Sequence, residues 1–177
     1  MVRLITGAGG MMGSHLYDAL RDQDVLPTFY NSTLDKRETI TQEMEMLDVL
    51  HYERVKQVLS EVKPSVIYHL AAQSRPDVSF KDPALTVQTN VGGTTNLLCA
   101  CAEVLDYRPL IINVSSSAVY GDIDWSTPPD ENSSCHPLSP YGTSKLAQEH
   151  IVKNFNQMHD IPYAVSYTHL RAHETRE

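Results

Sequence analysis

The run VRLITGAGGMMG, residues 2–13, decides the fold. Its first part, VRLIT at 2–6, is a short apolar stretch of the kind that forms a buried parallel strand. It gives way to TGAGGMMG, where Gly7, Gly10 and Gly13 stand at the spacing G-x-x-G-x-x-G. The next stretch, GSHLYDALRDQ, carries Leu16 and Leu20 at helical spacing. In the order strand, glycine turn, helix, each glycine has a physical task. The turn is tight, backbone N–H groups must approach a pyrophosphate at the helix N-terminus, and the helix must sit close against the sheet. A glycine triplet alone says little. Its place between a first strand and a first helix makes this segment a dinucleotide-binding turn, with Met11 and Met12 inside it.

The rest of the chain repeats the alternation. VLPTFY at 25–30 is a second strand, interrupted by Pro27 and so expected to start irregularly. Residues 31–42 are polar and read as loop. MEMLDV at 44–49 is a third strand, and HYERVKQVLSEV at 51–62 places Val55, Val58, Leu59 and Val62 on one helical face. SVIYHLAA at 65–72 and LIINVSSS at 110–117 are further strands, separated by one long helix expected from about Pro83 through Leu105. A last helix runs to about His159, and IPYA at 161–164 begins a sixth strand. Alternation without repeats or low-complexity segments predicts an α/β fold: a doubly wound (Rossmann) parallel sheet with helices on both faces, over residues 1–164.

Composition narrows the partners. The 177 residues are one domain's worth of chain, and 14 basic against 22 acidic residues leave a formal charge of −8 with no basic stripe. Neither nucleic acid nor an anionic membrane surface is an expected partner. No apolar run reaches the length of a membrane span, and the sequence starts on a strand-like run, so a cytoplasmic protein is expected. Cys99, Cys101 and Cys135 form neither a disulfide framework nor a zinc pattern, and no metal site is expected.

In doubly wound sheets ligands bind beyond the carboxyl ends of the strands. The third strand ends at Asp48-Val49, where the carboxylate could accept from an adenine amino group or cap the following helix. The second ends at Tyr30-Asn31-Ser32, without the acid that grips an unmodified ribose, and with Lys36 and Arg37 nearby; this favours NADP over NAD. The fourth runs into HLAAQS at 69–74, where Leu70, Ala71 and Ala72 let a cofactor pass close to the backbone, while His69 reads as a packed side chain. The fifth ends in VSSSAVYG at 114–121, whose hydroxyls could hold a substrate oxygen. SPYGTSKLAQEH at 139–150 puts Tyr141 and Lys145 on one face of an opening helix. If that face looks into a cleft, the ammonium is expected to lower the phenol's pKa.

Taken together, TGAGGMMG, the Asp48 strand end, HLAAQS, SSSAVYG and YGTSK resemble, in order and spacing, the extended short-chain dehydrogenase/reductase family, in particular its nucleotide-sugar epimerases and dehydratases. The resemblance covers residues 2 to about 163, and AAQSRPDVSFKDP is most similar to GDP-mannose 4,6-dehydratases. It implies a catalytic Ser116, Tyr141 and Lys145. It implies cofactor contacts at Gly7, Gly10, Met11, Met12, Gly13, Asn31, Asp48, Val49, Leu70, Ala71, Ala72, Tyr141 and Lys145. Substrate contacts are implied at Gln73, Ser74, Asn90, Ser116 and Ser117. It further implies NADP, with NAD as the alternative, a nucleotide-sugar substrate, and a homo-oligomer at full length. Dehydratases of this kind carry a Glu where this chain has Ser117-Ala118, which leaves 4-epimerisation or 4-keto reduction open. Non-catalytic NAD(P)-sensing relatives lose the Tyr or the Lys; this chain keeps both.

Residues 165–177 stand apart. VSYTHLRAHET shows neither period nor turn logic and resembles the in-frame translation of a sequencing adapter, so the tail is expected to be non-native and to pack poorly. The natural chain is then expected to continue beyond Tyr163 into a C-terminal substrate region that is missing here.

Overall fold

The computed structural model describes residues 1–30, 44–123, 126 and 128–167. Six strands form one sheet: β1 (Arg3–Thr6), β2 (Val25–Phe29), β3 (Glu45–Met46), β4 (Val66–His69), β5 (Leu110–Val114) and β6 (Tyr163–Ser166). Their spatial order is β3-β2-β1-β4-β5-β6, and every neighbouring pair is parallel. The chain returns across the sheet between β1 and β4, so the crevice of this doubly wound fold opens above those two strand ends.

Side-chain alternation along the strands sorts the core into two layers. Leu4, Ile67 and Ile111 point to one face, where they meet α2 (Tyr52–Val62) through Val55, Val58 and Leu59. The same layer holds α5 (Gly93–Val104) through Leu97 and Leu98, and α6 (Pro140–His159) through Val152. Ile5 and Ala8 belong to the other face, against Leu16 and Leu20 of α1 (Met11–Leu20). Pro27 lies inside β2, opposite Ile5, rather than at an irregular start. The Thr28 carbonyl accepts from Ala8 N on the β1 side, and the Phe29 carbonyl accepts from Leu47 N on the β3 side. Alternation turns Pro27 toward β3, which begins only opposite Thr28, so no ladder bond needs the missing N–H.

The helix expected from Pro83 through Leu105 is interrupted. Ahead of it a short α3 (Pro76–Lys81) forms; α4 (Pro83–Val87) follows, then a π turn at Gln88–Gly92, and α5 completes the run. Two contacts hold the wider turn in place. Asn90 Oδ1 accepts from Gln73 N at 2.7 Å while its Nδ2 donates to Gln73 O at 3.1 Å. At Gly93 an added Cβ would come within 2.5 Å of Val49 Cγ2, so only glycine lets the helix backbone press on the segment after β3. A π turn adds a residue to the helical repeat and so re-aims α5.

The boundary expected at 164 falls inside β6. Val165 and Ser166 pair with Asn113 and Val114, and the half-buried and exposed residues alternate as on any edge strand. Tyr167 is next, donating to Glu149 Oε2 at 2.9 Å and lying 5.7 Å from the Tyr120 ring. Poor packing from Val165 onward therefore does not hold for these three residues. The remainder of that tail, 168–177, lies outside the described residues.

Candidate active site

A cleft of about 740 Å³ opens above the carboxyl ends of β1 and β4. Its floor is the glycine turn. Gly7 has φ +75°, a region that L side chains rarely adopt, and a Cβ there would lie 2.7 Å from Ala71 N. At Gly13 a Cβ would lie 2.3 Å from the Gly7 carbonyl oxygen, so α1 starts in direct contact with the turn. Gly10 is the N-cap of α1 and has no side chain with which to cap it, and the first turn carries no acid. The leading N–H groups of a helix need partners, and a phosphate suits both their direction and the helix dipole. The cradle thus fits a dinucleotide pyrophosphate.

Most residues singled out from sequence meet in this cleft. Gly7, Gly10, Met11, Met12 and Gly13 line its floor; Asp48 and Val49 close one side, and Leu70, Ala71, Ala72 and Ser74 another. Ser116, Tyr141 and Lys145 form the far wall. Asn31, Lys36 and Arg37 lie outside the described residues. Gln73, Asn90 and Ser117 are not in the lining. Asn90 is fully buried, tied to Gln73 and, through Nδ2, to Ser144 Oγ at 2.8 Å. Ser117 opens a short 3₁₀ turn, Ser117–Val119. Sequence reasoning did not single out Gly9, Leu47, Leu50, Pro76, Leu85 and Thr89 in the lining. Tyr30, Val114 and Ser115, at strand ends that the sequence marked, line it too.

Asp48 does not cap α2. Its Oδ1 accepts from Leu50 N at 2.9 Å within a turn, and His51 is the N-cap, with Nδ1 accepting from Arg54 N at 3.2 Å. Asp48 itself lines the cleft.

The far wall is built by α6. Ser139 caps it, its Oγ accepting from Gly142 N at 3.0 Å, and Pro140 sits in the first turn, where a missing N–H costs nothing. The first turn therefore carries Tyr141 into the cleft, and Lys145 lies one turn on. Tyr141 is 8% exposed and Lys145 4%. Lys145 Nζ donates to the Val114 carbonyl at 2.9 Å, joining the helix to the end of β5. Ser116 Oγ accepts from Ala118 N at 3.2 Å and is hydrogen-bonded to the Tyr141 phenol.

The electrostatics run against the sequence expectation. Burial pushes the Tyr141 phenol above its ordinary value, and the bond from Ser116 pulls it back only in part. Burial also lowers Lys145 from 10.5 to about 8, against the pull of Glu149 one turn further along α6. Desolvation outweighs the pull of Glu149, and the hydrogen-bond partner of the ammonium is an uncharged backbone carbonyl rather than a carboxylate. Glu149 escaped the sequence reading, although its spacing of four from Lys145 was visible; it accepts from Ser115 Oγ, tying α6 to the β5 end a second time.

The profile of the GDP-mannose 4,6 dehydratase family matches residues 4–175. A UDP-glucose 4-epimerase of Rhizobium meliloti is 33% identical over 155 residues, covering 86% of this chain and 46% of that protein. A dTDP-glucose 4,6-dehydratase of Haemophilus influenzae is 29% identical over 183 residues, covering 92% and 54%. Among solved structures, the UDP-glucose 4-epimerase of Thermus thermophilus in complex with NAD aligns with a TM-score of 0.83 at 30% identity, over 93% of this chain and 54% of that one. The chain spans about half the length of the curated relatives it matches.

Lys145 sets a pH dependence. Its folded pKa, about 8, lies below the unfolded 10.5, so between those values the unfolded chain binds more protons and stability rises with pH. The cost of the buried ammonium is complete below pH 8 and gone above about 10.5. Lys145→Met is expected to gain roughly 3 kcal/mol more over the parent at pH 7 than at pH 10.5, at about 1.4 kcal/mol for each pH interval of one between the two values. Urea unfolding across that range checks it; a difference constant with pH contradicts it.

Proposed function

The chain belongs to the nucleotide-sugar epimerase and dehydratase family of extended short-chain dehydrogenases/reductases, and from that premise we propose that it forms the cofactor-binding and proton-transfer half of an enzyme that converts a nucleotide sugar through a 4-keto intermediate. The observation that carries this reading is the convergence of Ser116, Tyr141 and Lys145 on the wall facing the glycine cradle.

A nicotinamide dinucleotide, when bound, accepts and returns the hydride. The chain's own residues supply the rest. Tyr141 takes the proton from the sugar hydroxyl at C4 as the phenolate, after giving up its own proton, and returns it on reduction; the Ser116 bond favours that ionised form against the burial that opposes it. Ser116, already bonded to the phenol, holds the reacting oxygen beside it. Lys145 supplies positive charge and a donor for the cofactor ribose; at neutral pH, below its value of about 8, it is an ammonium. Burial of both groups keeps bulk water from the proton path, and positioning is the protein's main contribution.

The finer reading is 4,6-dehydratase-like chemistry, supported by the AAQS segment and the family profile. A specific observation favours a second reading, 4-epimerisation or 4-keto reduction: Ser117 and Ala118 offer no carboxylate to assist elimination. A non-catalytic sensing role is disfavoured because the phenol and the ammonium are both present and both in the cleft. For the cofactor, the described end of β2 presents Tyr30 and no acid, which supports NADP, while the aligned Thermus epimerase holds NAD. The substrate half and any homo-oligomer contact belong to the longer protein.

Two measurements test the proposal. Calorimetric titration of the chain is expected to show NADP binding at least as tightly as NAD; a strong preference for NAD reverses the cofactor assignment. In the full-length protein supplied with GDP-mannose, Tyr141→Phe is expected to lower turnover by about 10²- to 10⁴-fold, the usual worth of general acid–base catalysis. Product mass separates the readings, since loss of one water marks elimination and an isomer of unchanged mass marks epimerisation. Full activity in the Phe variant removes Tyr141 from the chemistry.

A further inference from the structure

His69 is a buried ionisable side chain that the proposed chemistry leaves unused. It ends β4, is 1% exposed, and is held at both ring nitrogens: Nδ1 lies 2.8 Å from Thr6 Oγ1, and Nε2 lies 2.8 Å from Thr94 Oγ1. Proton accounting at the two threonines fixes the direction of both bonds. Thr94 Oγ1 donates its single proton to the Asn90 carbonyl at 2.7 Å and accepts from Gln148 Nε2. Toward His69 it can only accept, so Nε2 carries the hydrogen. The bare Nδ1 then accepts from the Thr6 hydroxyl, which in turn accepts from Ala71 N at 3.3 Å. The result is one directed chain: Ala71 N–H to Thr6, Thr6 to His69, His69 to Thr94, Thr94 to the Asn90 carbonyl.

The ends of that chain are functional places. Ala71 is the cleft wall that the glycine turn touches. Asn90 sits in the π turn, pins the Gln73 backbone, and donates to Ser144 Oγ, which donates to the Tyr141 carbonyl at 2.7 Å. Gln148, which meets the chain at Thr94, lies on α6 three residues past Lys145.

We infer that His69 is a positioning residue: fixed as the Nε2–H tautomer, it ties the wall of the cofactor cleft to the π turn and to the helix that carries Tyr141 and Lys145. A second ring proton would point at Thr6 Oγ1 and take away Nδ1 as the acceptor of the Thr6 hydroxyl's own proton. Burial first, and then the charge of Lys145, the one ionisable group among the described residues that acts on it, push His69 down to about 3. The inference rests on the cleft being a dinucleotide site, but its main readout does not.

Long-range proton–nitrogen NMR of the ¹⁵N-histidine-labelled chain, without cofactor, is expected to show His69 as the Nε2–H tautomer from pH 8 to pH 5, through the range near 6.5 where an ordinary histidine protonates. An Nδ1–H tautomer, or protonation of His69 in that range, overturns the inference. Thr94→Val removes the hydroxyl at nearly constant shape, whereas Thr94→Ser keeps it. The Val variant is expected to lose the fixed tautomer, shift the Gln73 and Asn90 amides, and bind NADP roughly 5- to 10-fold more weakly, the scale of one buried donor left unpaired. The Ser variant is expected to restore all three. A folded Val variant with unchanged tautomer and unchanged amides overturns the inference. Failure of the parent chain to bind NADP, with the tautomer as expected, refutes the cofactor reading and leaves the hydrogen-bond chain standing.

Discussion

The glycine turn lies against the end of β4 so closely that a single methyl group would separate them. An added Cβ at Gly7 would come within 2.9 Å of three backbone atoms of Leu70 and Ala71, and one at Gly13 would strike the Gly7 carbonyl. Backbone cannot retreat as a long side chain can, so the approach of β1's turn to β4's end is set by the absence of side chains. Everything functional depends on that contact. It brings the start of α1 to the switch in strand order, and it makes the Leu70–Ala72 backbone a wall rather than a loop. The crevice between them has the place and chemistry of a dinucleotide site.

Across the crevice desolvation governs. Tyr141 and Lys145 are on one helical face, and spacing alone suggests that the cation should ease ionisation of the phenol. Burial instead raises one group and lowers the other. Each is therefore moved toward its neutral form. The Ser116 bond to the phenol and the pull of Glu149 on the ammonium oppose this at each group, and neither requires a direct phenol–ammonium contact. α6 is anchored twice at the β5 end, through Lys145 on Val114 and Glu149 on Ser115, so Tyr141 and Lys145 are held to the sheet and not to a loop.

Much of this was legible in the sequence because it is local. The apolar run ending in glycines, the face of Val55, Val58 and Leu59, and the Ser139-Pro140 start of α6 are each written within a few residues, and the structure agrees with them. The features that were not legible depend on partners far along the chain. The π turn rests on Asn90 reaching Gln73 and on Gly93 meeting Val49, neither of which periodicity can display. Asp48 reads as a helix cap because it precedes a helical run, yet His51 captures that place. The sign of the Tyr141 shift depends on burial, which two residues at a spacing of four do not reveal. Val165 and Ser166 pair with β5 although nothing in VSYTHL announces a strand.

The central claim is that the cleft between the glycine turn and α6 holds a dinucleotide whose two ends touch different elements. Mapping amide shifts by NMR while NADP is added tests it most directly. The predicted result is that Met11, Met12 and Gly13 move together with Val49 at one end and with Ser116 and Tyr141 at the other, in a single saturable step. Shifts confined to one of these places, or absent from the start of α1, would contradict it.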